Sequence, residues 1–376
     1  VRTALGGARG NLEEAVNLTG LARELGQTLG GKALRTAIDD PQHPKRYDPE
    51  LEEHDLGSVL VSAVFDAFLT VFRRKTARYI RIATGGTGVI PAGEISPELQ
   101  AILAEKASDL AQQFQAICIR AIDYCPPIDI ELGEFLRAVV TADRDLIPDD
   151  RWAYREAWVD AFRKRAIYPR DVDFLSEDAL LWRPPATPVA SRKLRFGELH
   201  FEGDPGRAAS AGELRRQAGV LGGLVSRPEY LEVFGLARRG HPRLGKDTVG
   251  RPCVHSIRAS RRIGPDGQIV FDLVAEVTQT RHVQARGDDP AFEFLGGSTV
   301  VIGPDGAVRY VVSKSVLNED RLRRQRDFMM SRRGQQLWVT KDGRAVRAPR
   351  PFRALHARAG WKTLERQTGG ASCRST

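Results

Sequence analysis

"EEHDLGSVLVSAVFDAF" (residues 52–68) decides what the first half of the chain becomes. His54, Ser58, Ser62, Asp66 and Thr70 recur every fourth residue, while Val59, Leu60, Val61, Val64, Phe65, Phe68, Leu69 and Val71 fill the positions between. At 3.6 residues per turn a four-residue step advances about 40°, so the polar residues trace one slowly winding stripe on an otherwise apolar helix. A stripe this narrow predicts a helix surrounded by protein, with its polar seam beside a cleft or internal water. His54 stands just before the first turn, where the helix dipole and the carboxylates of Glu50, Glu52, Glu53 and Asp55 act on the imidazole in opposite senses. Such a histidine can donate a hydrogen bond to a developing oxyanion. The plainer reading is a satisfied histidine at a helix entrance.

Outward from this helix, the pattern of Ala15, Leu18, Leu21, Ala22 and Leu25 predicts a helix within 11–38, stopped by the glycines of "TLGGK". "DDPQHPKRYDPE" (39–50) is a proline-rich loop leading to His54. Past a glycine-rich loop at 83–94, Ser96 as N-cap and Pro97 at the first helical position open a long amphipathic helix, which Pro126 and Pro127 end. Two more helices fit "IELGEFLRAVVTAD" and "DDRWAYREAWVDAFRKRA", and no segment before residue 182 reads as a strand.

The character changes at "WRPPATPVASRK" (182–193). Beyond it "IGPDG" occurs twice, at Ile263–Gly267 and Ile302–Gly306, each copy between alternating β-rich runs. Pro-Asp-Gly suits a tight reversal, so two hairpins forming a small antiparallel sheet are expected. Helices at "AGELRRQAGVLGGLV" and "NEDRLRRQRDFMMSRR" would cover one face. The fold class expected is therefore α+β: an all-α lobe over 1–182, a linker at 183–194, a small α+β domain over 195–334 and a basic, flexible tail over 335–376.

The bulk numbers agree with two domains and a tail, since 376 residues at 41% hydrophobic can bury a real core. The formal charge of +9 suggests nucleic acid until it is located. Between Asp320 and Arg366 stand twelve arginines and two lysines against four carboxylates, so the tail carries the whole excess and the remainder is near neutral. The longest apolar run, Val59 to Phe72, is interrupted by Ser62, Asp66 and Thr70, so no membrane span is expected. Cys118, Cys125, Cys253 and Cys373 are too scattered for a disulfide framework or a zinc ribbon, which mildly favours a reducing, cytoplasmic compartment. The chain begins at Val1 and its two methionines are Met329 and Met330, so a processed product or a fragment is expected.

"HDLGSVLVSAVFDAF" (54–68) resembles a segment of the thermolysin-like and fungalysin-like zinc metallopeptidases, the gluzincins, in which a histidine followed by a glycine opens a buried helix of the C-terminal lobe. "GEFLRAVVTADRDLIPDDRWAYREAWVDAFRKRAIYP" (133–169) is similar to the family's final helices, and the likeness covers about residues 1–182. The resemblance implies a peptide or protein substrate, a zinc cofactor, and His54 as a stabiliser of the tetrahedral intermediate rather than a metal ligand. The family's ligands come from an HExxH helix and a glutamate on the next helix, both N-terminal to that histidine. Here the histidines are His43, His54, His200, His241, His255, His282 and His356, and no two are four apart. The resemblance therefore places the metal-binding region before Val1, or makes the chain a homologue that only binds or scaffolds. The residue orienting His54 stays open among Asp48, Glu50, Glu52 and Glu53.

Other patterns have plainer readings. "GGTG" (85–88) lacks the Lys-Ser/Thr ending of a phosphate loop. Asp123, Asp129, Glu131, Glu134, Asp143, Asp145, Asp149 and Asp150 lack calcium-loop spacing and read as helix caps and a solvated face. Tyr124 and Tyr154 are candidates for a cleft wall, and Cys118 and Cys125 read as buried thiols on one helical face. The rival function is a non-enzymatic scaffold using residues 318–376, where Arg323, Arg324 and Arg326 would contact phosphates or acidic partners and Phe328 and Trp338 would stack on bases.

Overall fold

The computed structural model describes residues 43–90, 95–207, 209–263 and 269–348. The expected helix within 11–38, the first Pro-Asp-Gly turn and residues 349–376 lie outside them. The protein is α+β, and two compact units divide it: one takes residues up to Ile122 and Glu131–Leu181, the other Asp123–Ile130 and Trp182 onward.

In the first unit α1 spans Glu53–Ala83, α2 Pro97–Ile122, α3 Leu132–Leu146, α4 Tyr154–Lys164 and α5 Glu177–Leu180. Helix α1 packs on α2 and α4, and α3 on α2. The stripe's apolar flanks do this work: Val59, Ala63, Ala67, Val71 and Phe72 are buried with Leu103, Leu110, Phe114, Trp158 and Phe162. Phe114 is the hub, edge-on to Phe68 at 5.7 Å and stacked on Trp158 at 5.0 Å between centroids, geometries that aromatic pairs favour. Ser96 caps α2 by accepting Leu99 N–H at 3.2 Å. Asp150 caps α4 through both oxygens, on Tyr154 N and Arg155 N, each at 2.8 Å. Gly133 lets α3 start against the chain at Tyr168 and Pro169, since a Cβ there would lie 2.4 Å from Pro169 Cα.

By length and composition α1 is able to cross a membrane, contrary to the expectation that no segment is. Its buried Ser58, Ser62 and Thr76 and its packing on two helices account for the same composition as the central helix of a bundle. Helix α2 ends at Ile122, four residues before the prolines, because the next eight residues join the sheet unit.

That unit is built on a five-stranded antiparallel sheet. Strand β1 (Thr248–Val249) and β2 (Cys253–Ile263) both pair with one side of the long β3 (Ile269–Val283), whose other side pairs with β4 (Phe292–Ile302). Strand β5 (Val308–Lys314) pairs with β4. The two hairpins expected from the repeated motif are thus present and are joined into one sheet by β3 and β4. At the second turn Gly306 adopts φ +79°, and a Cβ would meet Ser191 O at 2.3 Å. Helix α6 (Ala211–Val225) starts at its N-cap Ser210 and packs on β2, closing a core of Leu221, Val225, Phe234, Ile257, Leu273, Ala275, Val277 and Val300. Helix α7 (Glu319–Met330), capped by Asn318, buries Leu322 and Met329 beside Phe292 and Phe294.

Two expectations change here. Residues 183–194, expected as a linker, belong to the sheet unit, where Ala190 bridges Ala307 and Val308 N donates to Val189 O. Residues 335–376, expected as a flexible tail, contain the hairpin of β6 (Trp338–Lys341) and β7 (Arg344–Arg347). Asp342 and Gly343, at φ +52° and +71°, turn it, the paired positive φ that two-residue hairpins require.

Candidate functional site

His54 lies in the first turn of α1 and is half-buried. Glu52, the N-cap residue, holds it twice: one carboxylate oxygen accepts His54 N–H at 2.9 Å and the other lies 2.7 Å from Nδ1. The cap that every helix start needs is here also the group that fixes the imidazole. Asp48 instead accepts Glu50 N–H at 2.9 Å. Sequence does not single out Glu52, because glutamate is not a favoured N-cap residue and Glu50, Glu53 and Asp55 stand equally near the histidine.

Below His54 the polar stripe is occupied by the chain's own cations. Lys45 Nζ donates to the buried Ser62 Oγ at 3.0 Å, and Asp66 receives Lys164 at 3.2 Å and Arg165 at 3.0 Å. Thr70 Oγ1 turns back to Asp66 O at 2.9 Å. Tyr47 N–H donates to Arg165 O at 2.8 Å, tying the segment before α1 to the end of α4. The seam expected beside water is therefore largely sealed by Lys45, Lys164 and Arg165, none of which sequence pattern links to it.

The other candidates serve structure. Tyr124 is buried against Tyr310, and the Tyr154 hydroxyl donates to Gln113; burial raises its pKa. Asp143 is not solvated but buried: Arg155 donates to it at 2.8 Å and to Ile147 O at 2.9 Å, while Glu177 lies 2.9 Å from Arg155 Nε. Burial outweighs the guanidinium and pushes the Asp143 carboxyl up to about 6. Asp123 also leaves the solvated face, pairing with Arg258 and Ser260, whereas Glu131 and Glu134 form a capping box on α3. The Cys118 thiol is pushed up to about 11 by burial, and Cys125 is buried, as inert thiols are. The "GGTG" segment is an exposed turn after α1.

The arginines of α7 are partly spent inside. Arg321 is buried, pairs with Asp129 at 2.6 Å, donates to Leu295 O and lies 4.1 Å above the Phe294 ring. Arg326 sits 3.6 Å from Asp289 and 5.8 Å over Phe292. Arg323 is exposed, as are Lys341, Arg344 and Arg347 on the hairpin.

Among the described residues no group of three His, Cys, Asp or Glu side chains is placed to hold a metal ion. No family model matches the chain, and neither a curated protein nor a solved structure shows significant similarity to it.

Proposed function

We propose that the helical unit is the C-terminal lobe of a gluzincin-like zinc peptidase, in which His54 donates a hydrogen bond to the oxyanion formed at a peptide carbonyl. The observation that carries this reading is the double hold of Glu52 on His54. Backbone and ring are fixed by one carboxylate, so the imidazole is preorganised instead of being ordered during reaction. With Nδ1 engaged by Glu52, donation to a substrate oxygen falls to Nε2 and requires the ring to carry both protons. The carbonyl oxygen gains charge as its carbon becomes tetrahedral. A donor aimed at that position therefore favours the transition state over the ground state, by about 2.7–4 kcal/mol for a single group.

The described residues do not fit zinc. Metal ligands and the base that activates water are not assigned to them in this reading, and only the step at His54 is. The test is peptide hydrolysis by the full-length protein: His54→Ala is expected to lower kcat by two to three orders of magnitude, about what loss of one oxyanion donor costs. An unchanged rate, or no hydrolysis by the unsubstituted protein, overturns the reading.

A second reading, a binding protein for nucleic acid or acidic partners, is favoured by the exposed Lys341, Arg344 and Arg347. Arg321 and Arg326 are already committed to carboxylates and rings, while Arg323, Arg324 and Arg332 stay exposed. It expects salt-dependent binding that Arg344→Glu with Arg347→Glu abolishes.

A further inference from the structure

A cavity of about 300 Å³ opens on the sheet unit, with Cys253, His255, Glu276 and Thr278 as its floor and Leu295 and Ile128 as apolar wall. A register shift between Val254 and Ser256 bulges β2 at His255, whose Nε2 lies 2.6 Å from Thr278 Oγ1. Bulges often re-aim a side chain in this way. Glu276 is half-buried, and neither its carboxylate nor the guanidinium of Arg251 at the cavity's edge makes a hydrogen bond or ion pair among the described residues. A part-buried carboxylate without a cation, and an exposed guanidinium without an anion at the rim of the same cavity, are placed to take the two ends of a ligand.

Strand geometry gives the ligand's length. Gly250 N–H donates to Thr280 O at 2.9 Å, so Arg251 enters at the level of Thr280, four residues along β3 from Glu276. Four strand residues span about 13 Å between Cα atoms. Strand side chains stand roughly perpendicular to the sheet, so that spacing fits two extended residues, about 7 Å, with a hydrogen bond of about 3 Å at each end. The volume also lies at the small end of ligand sites, roughly 300–1,000 Å³.

We infer that this cavity binds a short peptide of about two residues with both ends free, its ammonium on Glu276, its carboxylate on Arg251 and its body along Thr278. The inference rests on the sheet unit alone and is independent of the role of His54.

Cys253 is a free, exposed thiol on the cavity floor and reports occupancy. In the full chain carrying Cys373→Ser, its rate of alkylation by iodoacetamide is followed by mass spectrometry with added alanyl-alanine. The dipeptide is expected to slow alkylation. Its N-acetylated and C-amidated forms are expected to need about tenfold or higher concentrations, the cost of one lost charged hydrogen bond. Glu276→Gln is expected to erase the preference for a free amino end and Arg251→Gln that for a free carboxylate. The thermal midpoint should not move, because neither group has a partner to lose. Absence of protection by alanyl-alanine, or equal protection by the capped peptides, overturns the inference; the capped comparison on the otherwise unsubstituted chain decides even if a variant misfolds.

Discussion

Both units bury ion pairs, Asp143 with Arg155 in one and Asp247 with Arg281 in the other, but they differ at their most conspicuous charged residues. In the helical unit His54, at the N-terminal end of the polar stripe, is held by the Glu52 carboxylate and stays partly exposed. In the sheet unit, two arginines are instead drawn fully inward. Arg281 is buried between Asp247 at 2.7 Å and Glu319 at 2.7 Å, and Arg321 is buried against Asp129 and the Phe294 ring. The number of charges in a stretch therefore says little about where function lies. What matters is whether a charge has been consumed by a partner within the fold or is oriented by one toward the outside.

That contrast is open to test, and its largest expected effect is in the sheet unit. Arg281→Ala leaves the buried Asp247 with only the half-exposed Arg286 at 3.7 Å, which is expected to cost about 3 kcal/mol, the low end for breaking a buried pair. The denaturant midpoint checks this, and a change near zero would mean that the arginines are not interior rivets. A comparable loss is expected in acid only. Arg216, donating at 2.7 and 2.6 Å, holds the Glu213 carboxyl down at about 2, with Gln217 and the His200 N–H assisting. A carboxylate with a lowered folded pKa contributes its full stability above the unfolded value of 4.5 and loses it as pH falls toward 2. Thermal midpoints measured down this range should drop more steeply in the unsubstituted protein than in Glu213→Gln.

In the helical unit, Gly133→Ala forces a Cβ into Pro169 and Tyr168, an overpacking expected to cost about 1–3 kcal/mol. Urea unfolding checks it. Glu52→Ala removes the N-cap of α1 and is expected to cost about 1 kcal/mol of stability. If it costs nothing, the carboxylate does not hold the helix start.

Much of this arrangement can be read from the sequence, where the signal is local. The four-residue stripe fixes α1, Ser96, Ser210 and Asn318 mark true helix starts, and the repeated Pro-Asp-Gly places both hairpins. The hairpin at 338–347 was also within reach, since Asp342-Gly343 stands between alternating runs; its basic composition masks that pattern. The departure of residues 123–130 to the sheet has no local signal, because "DYCPPIDI" reads only as a helix stop. Nor does periodicity reveal that Lys45 and Arg165 seal the seam, as both contacts join residues far apart in the chain. The place of His54 at the entrance of α1 was legible, and the carboxylate that contacts it was narrowed to four but not chosen.

The most direct test of the Glu52–His54 pairing is a double-mutant cycle on kcat for peptide hydrolysis by the full-length protein. Glu52→Ala alone is expected to lower kcat, and to lower it no further once His54→Ala is present, because Glu52 acts through the imidazole. Full losses from each substitution that simply multiply would contradict the account.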